Sequence, residues 1–502
     1  MASKEEIAAY FAELNIEASD VVLDKCKLSN LKKNIKAIFH NNYLHRDADT
    51  TVSSYTATTP KSNKTQKQQT PAHQRISKGT VLSDTYDDFR SSVGSPSTSE
   101  KYSQRTDSRS VQCSYGSPLA QFRRGKDYPV SVKNVNKGSL QTETYMYEIM
   151  GKKAKSLNSM SQWLGHAILE KHGLSLTEGT LKSHVYCLRV RFETNLGRAV
   201  TLNINKLSNY SLFPGQVAVV QGNNPNSTAF IAEKILTDTL LPLPTEPPII
   251  DDELQIVVAC GPYTLENNLS YEPLQDLIKY VTEYKPHVLL LVGPFIERSH
   301  MSIHDGSLMQ TFDSFFESLI ENIMNALQGI DIQVVVASSQ KDAHHHPVYP
   351  TRPYNIRENY TNLTFVSDPC QIDVNGVVIG ATSIDVLFHI GQFEMCHPSG
   401  MPDRMGRIAS PSFKPAQFLS LISTPQGCVY RSRQYGILEN KPHILVLPST
   451  WRHFVKSVQD CLVINPERLA KGPVAGTFAR IEISPGTGSS LCNHVSCQVI
   501  KV

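Results

Sequence analysis

The chain has 502 residues, which is enough for two or three domains with full-sized cores. Its 49 Lys and Arg residues against 46 Asp and Glu residues give a net charge of +3, so bulk charge gives no support for nucleic-acid binding. No apolar stretch approaches the ~20 residues that span a bilayer, and the N-terminus lacks a signal-peptide pattern. We therefore expect a soluble intracellular protein without membrane contact. The ten cysteines include no Cys-x-x-Cys pair, which indicates reduced thiols rather than a structural zinc site.

Residues 1–44 are predicted to form a small N-terminal helical module. Ser3 followed by Glu6 matches a capping box, and Ile7 and Phe11 then fall on one helical face. A second short amphipathic pattern follows. Because two helices this short bury little apolar surface, we interpret the module either as a docking module or as a cap on the main body.

Residues 45–136 are predicted to form a disordered linker, because they are rich in Ser, Thr, Gln, Lys and Arg and poor in large apolar residues. Ser-Pro and Thr-Pro steps in a basic segment suit proline-directed kinases, and each phosphate would add about two negative charges. A solvated linker without modification is the alternative. The candidate phosphorylation sites are Thr59, Thr70, Ser95 and Ser117.

Residues 137–245 are predicted to form a helix followed by a five-stranded oligonucleotide-binding-type (OB-type) β-barrel. Apolar residues at helical spacing cover Tyr145–His172. Short strands separated by Gly, Pro and Asn are typical of such a barrel, and we interpret its surface as a protein contact rather than a nucleic-acid contact. The predicted strands are His184–Glu193, Arg198–Leu207, Gln216–Gly222 and Thr228–Leu236.

Apolar side chains cluster in one predicted turn of the barrel. Tyr210, Leu212 and Phe213 directly precede a Pro-Gly step. We interpret this loop as a candidate contact with a partner protein. Closure of the barrel by the same loop is the alternative.

Residues 246–502 alternate strands and helices, which predicts a layered sheet covered by helices. Functional groups in such folds gather at the carboxyl ends of the strands. An Asn375-Gly376 step predicts a hairpin turn. The other predicted elements are strands at Leu254–Cys260, His287–Val292, Ile332–Ser338, Leu363–Asp368 and His443–Ser449, and helices at Glu272–Tyr284 and Thr311–Leu327.

Two strand ends in this half lack the residues that a dinuclear metal centre needs. A metal-dependent phosphoesterase would carry Asp-x-His and Gly-Asp there, because bridging carboxylates position the two cations and their hydroxide. This chain carries Cys260-Gly261 and Gly293-Pro294 instead. We therefore predict degenerate metal-site positions, with no catalytic residue, no metal ligand and no cofactor.

A third strand end is the best candidate for metal binding in the chain. Asp342 precedes His344, His345 and His346, and imidazole and carboxylate groups bind zinc or manganese. An active metal-dependent phosphodiesterase or nuclease is therefore the alternative function. Because consecutive histidines point in different directions, we favour hydrogen-bonded loop histidines.

Several long motifs occur in colinear order between Tyr145 and Val502. Together they resemble the family of B subunits of DNA polymerase alpha, the non-catalytic companions in the polymerase–primase complex. The motifs are LSNYSLFPGQVAVVQGNN, VVACGPYTLENNLSYEPLQDLIKYV, PHVLLLVGPFIE, DAHHHPVYP, DPCQIDVNGVVIGATSIDVLFHIG and INPERLAKGPVAGTFARIEI.

The resemblance implies an OB-type barrel packed against a calcineurin-like phosphodiesterase domain that has lost its metal site. It implies that these domains clamp the C-terminal region of the polymerase catalytic subunit and meet primase through the complex, with DNA contact within the complex left open. The N-terminal module is similar to a recruitment arm for other replication-fork proteins, and the linker to a target of cell-cycle kinases. The implied location is the nucleus, where the complex makes RNA-DNA primers.

Two segments depart from the family. The N-terminal module is shorter than the family's helical domain, and Ser410–Asn440 does not follow the family pattern. The accessory subunits of polymerases delta and epsilon share the two-domain plan and are an alternative identification. An independent single-strand-binding protein is a third hypothesis, and it would show steep salt dependence of its affinity.

Overall fold

The computed structural model describes residues 102–117, 122, 124, 128–135, 150–174, 182–186, 191–194, 199–225, 229–237, 250, 252–398, 403–409, 441–486 and 490–502. The predicted N-terminal module, the linker up to residue 101 and the divergent segment 410–440 lie outside these residues. The chain divides into two compact units, Met1–Arg90 and Ser91–Val502, and all described residues belong to the second. None of the described helices is long and apolar enough to cross a membrane.

The second unit contains a β-barrel and a two-sheet sandwich. In chain order its elements before residue 250 are β1 (Val111–Tyr115), β2 (Val132–Asn134), α1 (Met150–Lys171), β3 (Lys182–Tyr186), β4 (Arg191–Thr194), β5 (Ala199–Asn203), β6 (Tyr210–Leu212), β7 (Val217–Asn223) and β8 (Ala229–Leu236). The later elements are β9 (Leu254–Cys260), α2 (Glu272–Tyr284), β10 (Val288–Val292), α3 (Met301–His304), α4 (Phe312–Ala326), β11 (Gln333–Ala337), β12 (Leu363–Val366), β13 (Cys370–Val374), β14 (Val377–Ala381), α5 (Val386–Phe393), β15 (Met395–His397), α6 (Arg404–Ala409), β16 (Ile444–Val446), β17 (Phe454–Val458), β18 (Cys461–Asn465), β19 (Ala470–Lys471), β20 (Val474–Ala475), β21 (Thr477–Ile483) and β22 (Val495–Lys501).

Two sheets face each other in the sandwich. The first has the order β1-β22-β21-β9-β10-β11-β12, and the second has the order β17-β18-β16-β14-β13-β2. Strands β9 to β12 run parallel, and every residue of β9 and β10 is buried, as expected for strands covered on both faces. One apolar core between the sheets includes Val258 and Leu290 from the first sheet and Ile379 and Val446 from the second.

Helices cover the outer faces of both sheets, so the predicted layered α/β architecture is present. Helices α2 and α4 pack on the first sheet through Leu277 and Phe316. Helices α5 and α6 pack on the second sheet, where Leu387 and Ile408 share a core with Val463. Helix α1 packs on the barrel strands β3 and β7. The four layers place all the parallel strand ends of the sandwich along one edge.

The barrel is closed in the order β3-β4-β5-β8-β7, which confirms the predicted five-stranded barrel. One predicted strand was wrong: His184–Glu193 is two antiparallel strands, with Tyr186 opposite Arg191. The intervening segment Cys187–Val190 has no Gly, Pro, Asn or Asp, so the sequence contains no turn signal there.

The loop predicted as a partner contact joins the barrel to the sandwich. Strand β6 pairs antiparallel with β15, so that Leu212 lies opposite Met395 and Tyr210 stacks on His397 with ring centroids 5.7 Å apart. Leu212 and Phe213 are buried, and Phe213 belongs to the core that the barrel shares with α5 and β18. Their burial within the chain argues against a partner contact through these side chains and favours the alternative of a closing loop.

The predicted disordered linker is wrong over its last part. Strand β1 adds an edge to the first sheet by pairing with β22, and β2 adds an edge to the second sheet by pairing with β13. Between them Phe122 is buried among the residues under α2, as is Tyr102 before β1. Arg105 also pairs with Asp276 of α2 at 2.5 Å. The last part of the predicted linker is therefore held on the sandwich by a few buried apolar side chains, although the segment is mostly polar.

We predict that Phe122→Ala lowers the free energy of unfolding by about 3–5 kcal/mol, because it removes a fully buried ring and leaves a cavity. Phe312→Ala, which removes a ring 38% exposed on α4, is the matched control and should lower it by less than about 1 kcal/mol. Urea denaturation of the full chain measures both. Equal small losses would contradict the anchoring role of Phe122.

Candidate functional site at the carboxyl ends of the strands

The residues predicted as degenerate metal-site positions lie together where β9, β10 and β11 end. The N–H of Gly261 donates to the carbonyl of Val292 at 2.8 Å, and the N–H of Gly293 donates to Ala337 at 2.9 Å. A Cβ on Gly261 would lie 1.9 Å from the carbonyl oxygen of Pro294. A Cβ on Gly293 would lie 2.8 Å from the Cβ of Ser339. Neither position has room for a carboxylate side chain.

Asp342, in the loop after β11, points toward the ends of β9 and β10 and is completely buried. Its Oδ1 accepts hydrogen bonds from the backbone N–H groups of Phe295 at 2.7 Å and Ile296 at 2.6 Å. Its Oδ2 accepts from the Tyr354 hydroxyl, which in turn accepts from the N–H of Ser339 at 2.7 Å. Both carboxylate oxygens therefore hold the β10 and β11 loops together.

The three histidines after Asp342 do not converge on it. His344 stacks on Phe316 of α4 with ring centroids 4.0 Å apart, and its Nδ1 lies 4.0 Å from Asp342 Oδ1, which is too long for a hydrogen bond. Burial lowers the pKa of His344 to about 3, so its ring is neutral at physiological pH. The rings of His345 and His346 lie edge to face, with centroids 5.9 Å apart.

A second buried carboxylate follows β12. Asp368 accepts from the Thr382 hydroxyl at 2.7 Å and from the Ser383 hydroxyl at 2.5 Å. Burial raises the pKa of Asp368 to about 6, while these hydrogen bonds and the charge of Arg468 act in the opposite direction. The Ser383 hydroxyl also lies 3.0 Å from that of Ser339, so the network connects loops of both sheets.

Arg468, which follows β18, places a positive charge between the two sheets. Its side chain is buried, and Nη1 donates to the carbonyl of Gly261 at 3.2 Å and to that of Ser383 at 3.5 Å. The neighbouring Glu467 is already paired, because Lys471 Nζ lies 2.6 Å from its carboxylate. Neither Arg468 nor Asp368 was predicted as a site residue, although both lie in motifs that carry the family resemblance.

These residues do not fit a dinuclear metal centre. Burial raises the pKa of the Cys260 thiol to about 12, so it is not a thiolate ligand at neutral pH. A guanidinium at this position repels cations, and the oxygens of Asp342 are engaged by hydrogen bonds. Within the described ranges no group of three or more His, Cys, Asp or Glu side chains could hold a metal ion.

Of the candidate phosphorylation sites, Ser117 lies within the described residues. It is exposed and follows β1 by two residues. Thr59, Thr70 and Ser95 lie outside the described residues.

We predict that Asp342→Asn becomes more stable relative to the original protein as the pH rises from about 4 to 7. Burial raises the pKa of Asp342 from 3.8 to about 7, although hydrogen bonds from Tyr354, Ile296 and Phe295 favour the carboxylate. A carboxyl whose pKa is higher in the folded state stabilises the fold below its unfolded pKa, and this stabilisation is lost as the pH approaches the folded pKa. Asn does not ionise. Denaturant unfolding of both proteins at each pH measures the difference, and a difference that falls with pH would contradict the raised pKa.

Comparison with protein families identifies both halves of the second unit. Residues 256–456 match the family described as the B subunit of DNA polymerase alpha/epsilon. Residues 149–238 match the family described as the OB domain of the DNA polymerase alpha B subunit.

Comparison with solved structures matches Vps29 from Entamoeba histolytica in complex with zinc and Vps29 from Chaetomium thermophilum. The first is 12% identical and covers 49% of this chain and 99% of its own, and the second is 10% identical and covers 50% and 97%. The TM-score is 0.22 for both, which is too low to support a conclusion about fold or function.

Relatives of similar sequence are named as the B subunit of DNA polymerase alpha. The protein from Drosophila melanogaster is 39% identical over 349 residues, which are 67% of this chain and 56% of that protein. The protein from Mus musculus is 31% identical over 422 residues, which are 77% of this chain and 70% of that protein. The chain thus spans little more than half of the fly protein and about two thirds of the mouse protein. It belongs to the family of DNA polymerase alpha B subunits.

Proposed function

We infer that the protein is the non-catalytic accessory (B) subunit of a DNA polymerase alpha–primase complex. In this role it holds the C-terminal region of the catalytic subunit and links the complex to other replication-fork proteins during the initiation of replication. Family membership supports the accessory role. The observation that carries the non-catalytic assignment is the buried guanidinium of Arg468, which hydrogen bonds to the carbonyls of Gly261 and Ser383 where a phosphoesterase holds cations.

The site is not built to hydrolyse a phosphodiester, because it has neither a source of hydroxide nor space for a metal-bound hydroxide. A metal-bound hydroxide forms because a divalent cation lowers the pKa of water, and this requires ligands with free lone pairs. Asp342 uses both oxygens to hold backbone N–H groups and the Tyr354 hydroxyl. His344, one of the three candidate histidine ligands, packs flat against Phe316. The alternative of an active phosphodiesterase or nuclease is therefore disfavoured.

A scaffold works best when its binding surface keeps its shape on binding. The core that the barrel shares with the sandwich provides this rigidity. Phe213 and Val217 of the barrel pack in one cluster with Leu387 of α5 and Leu447 after β16. Strand pairing between β6 and β15 fixes the same junction. A preorganised surface of this kind avoids the entropy loss of ordering on binding, and permanent complexes bury at least ~2,000 Å².

The remaining roles follow from membership of the family. We propose a nuclear location, with primase as a partner through the complex and residues 1–101 as a tether for other replication proteins. The exposed position of Ser117 is compatible with phosphorylation. The match to the alpha-type OB domain favours polymerase alpha over polymerases delta and epsilon.

The full chain should form a complex that resists high salt with the C-terminal region of a polymerase alpha catalytic subunit. The corresponding regions from delta and epsilon, tested in the same co-expression and size-exclusion experiment, are the matched controls and should not co-elute. Co-elution with all three would contradict the assignment to alpha.

The same preparation should not hydrolyse bis(4-nitrophenyl) phosphate with added Mn²⁺ above the buffer rate, because Arg468 and the engaged carboxylates exclude a metal pair. Turnover that His344→Ala abolishes would overturn the non-catalytic assignment and support the phosphodiesterase. Contaminating hydrolases would remain active in the His344→Ala preparation, which makes that variant its own control.

A further inference from the structure

Two carboxylates and one amide lie together on the outer face of the first sheet, at the end opposite the degenerate metal-site positions. Glu253 and Gln255 are two residues apart at the start of β9, so their side chains lie on the same face. Glu482 of β21 is directly opposite Gln255 in the antiparallel pairing and shares that face. Strand β9 separates this cluster from Gly261 by about 20 Å.

The amide group of Gln255 contacts both carboxylates. Its Nε2 donates to Glu253 Oε1 at 3.4 Å and to Glu482 Oε2 at 3.3 Å, and both hydrogen bonds are long. Gln255 is completely buried, and its Oε1 has no hydrogen-bond partner among the residues that the structure describes. Because Oε1 and Nε2 are bonded to the same carbon, Oε1 lies beside the same carboxylates. This oxygen therefore has lone pairs available for a further ligand.

The cluster is negatively charged, and the arginine on the same face is engaged elsewhere. Arg480 precedes Glu482 by two residues on β21, and its guanidinium donates to Gln498 at 3.0 Å and to the Tyr280 hydroxyl at 3.0 Å. Burial, and after it the adjacent Glu253, raise the pKa of Glu482 to about 7, while the charge of Arg480 acts in the opposite direction. The two carboxylates repel each other when both are ionised, and a cation between them would remove this repulsion.

We propose that Glu253, Glu482 and the Oε1 of Gln255 bind one hard divalent cation. Carboxylate and amide oxygens are the ligands that Mg²⁺, Ca²⁺ and Mn²⁺ prefer in proteins. Both glutamates are partly exposed, so water molecules complete the coordination shell from the solvent side. The ligands are oxygens alone, which favours these cations over zinc.

A cation at this cluster fixes the place where the chain enters the sandwich from the barrel. Just before the cluster, Ile250 forms an isolated antiparallel bridge with Gly486, which follows β21. The Tyr128 hydroxyl donates to the carbonyl of Glu253 at 3.1 Å. The cluster thus lies where the incoming chain, β21 and the segment that carries Tyr128 meet. Binding of a cation there adds a link between β9 and β21 that does not depend on the accessory role proposed above.

The test measures Mn²⁺ binding to the full chain after removal of metals with EDTA and dialysis. The electron paramagnetic resonance signal of free Mn²⁺ is lost on binding, and its loss gives the dissociation constant. Glu482→Gln and Glu253→Gln keep the shape of each side chain and remove its charge. Glu321→Gln removes one exposed carboxylate of α4 and is the matched control.

We expect Glu482→Gln and Glu253→Gln each to weaken Mn²⁺ binding by about tenfold or more, and Glu321→Gln to leave it unchanged. Equal binding by Glu482→Gln and Glu321→Gln would overturn the site. Competition with Mg²⁺ and with Ca²⁺ identifies which cation the site prefers. Displacement of Mn²⁺ by neither competitor would overturn the stated cation chemistry.

Urea unfolding with and without saturating Mn²⁺ is a second readout, which also shows that each variant folds. A cation that binds only the folded state stabilises it. The unfolding midpoint of the original chain and of Glu321→Gln should therefore rise more with Mn²⁺ than that of Glu482→Gln. An equal rise in all three proteins would place the bound cation elsewhere and contradict the proposal.

Discussion

The guanidinium of Arg468 holds the two sheets of the sandwich together at the edge where their parallel strands end. It donates to the carbonyl of Gly261, at the end of β9 in the first sheet, and to that of Ser383, after β14 in the second. Guanidinium remains charged under all physiological conditions, and its planar donors suit several acceptors at once. An internal cation therefore lies at the strand ends where the sequence predicts degenerate metal-site positions. The position of the surrounding loops depends on it.

The other groups at this edge are also engaged by contacts within the chain. Backbone atoms close to Gly261 and side-chain atoms close to Gly293 leave no space for ligand side chains there. Asp342 and Asp368 serve as hydrogen-bond acceptors for loop donors. The geometry of this edge is therefore set by contacts within the chain. Such a fixed geometry suits the scaffold role proposed above, and the core shared with the barrel extends it across both domains.

Elements whose cause is local could be predicted from the sequence. The hairpin at Asn375-Gly376 is present because both residues adopt positive φ, which a two-residue turn of this kind requires. Helix α2 has the predicted bounds Glu272–Tyr284, because its apolar residues recur at helical spacing. The strand break between Tyr186 and Arg191 was missed because no turn residue marks it.

Features whose cause is distant in the chain could not be predicted. Phe122 looks like an isolated aromatic in a polar segment, and its burial requires the preformed surface under α2. Arg468 looks like an ordinary charged loop residue in the sequence, while its acceptors lie 207 and 85 residues away.

The most direct test of this account is the free energy of unfolding of Arg468→Met, with exposed Arg452→Met as the matched control. We predict that Arg468→Met loses about 3–5 kcal/mol, because two buried carbonyls lose their donor and Asp368 loses a neighbouring cation. Arg452→Met should lose less than about 0.5 kcal/mol. Equal stability of the two variants would show that the two sheets do not depend on the internal cation.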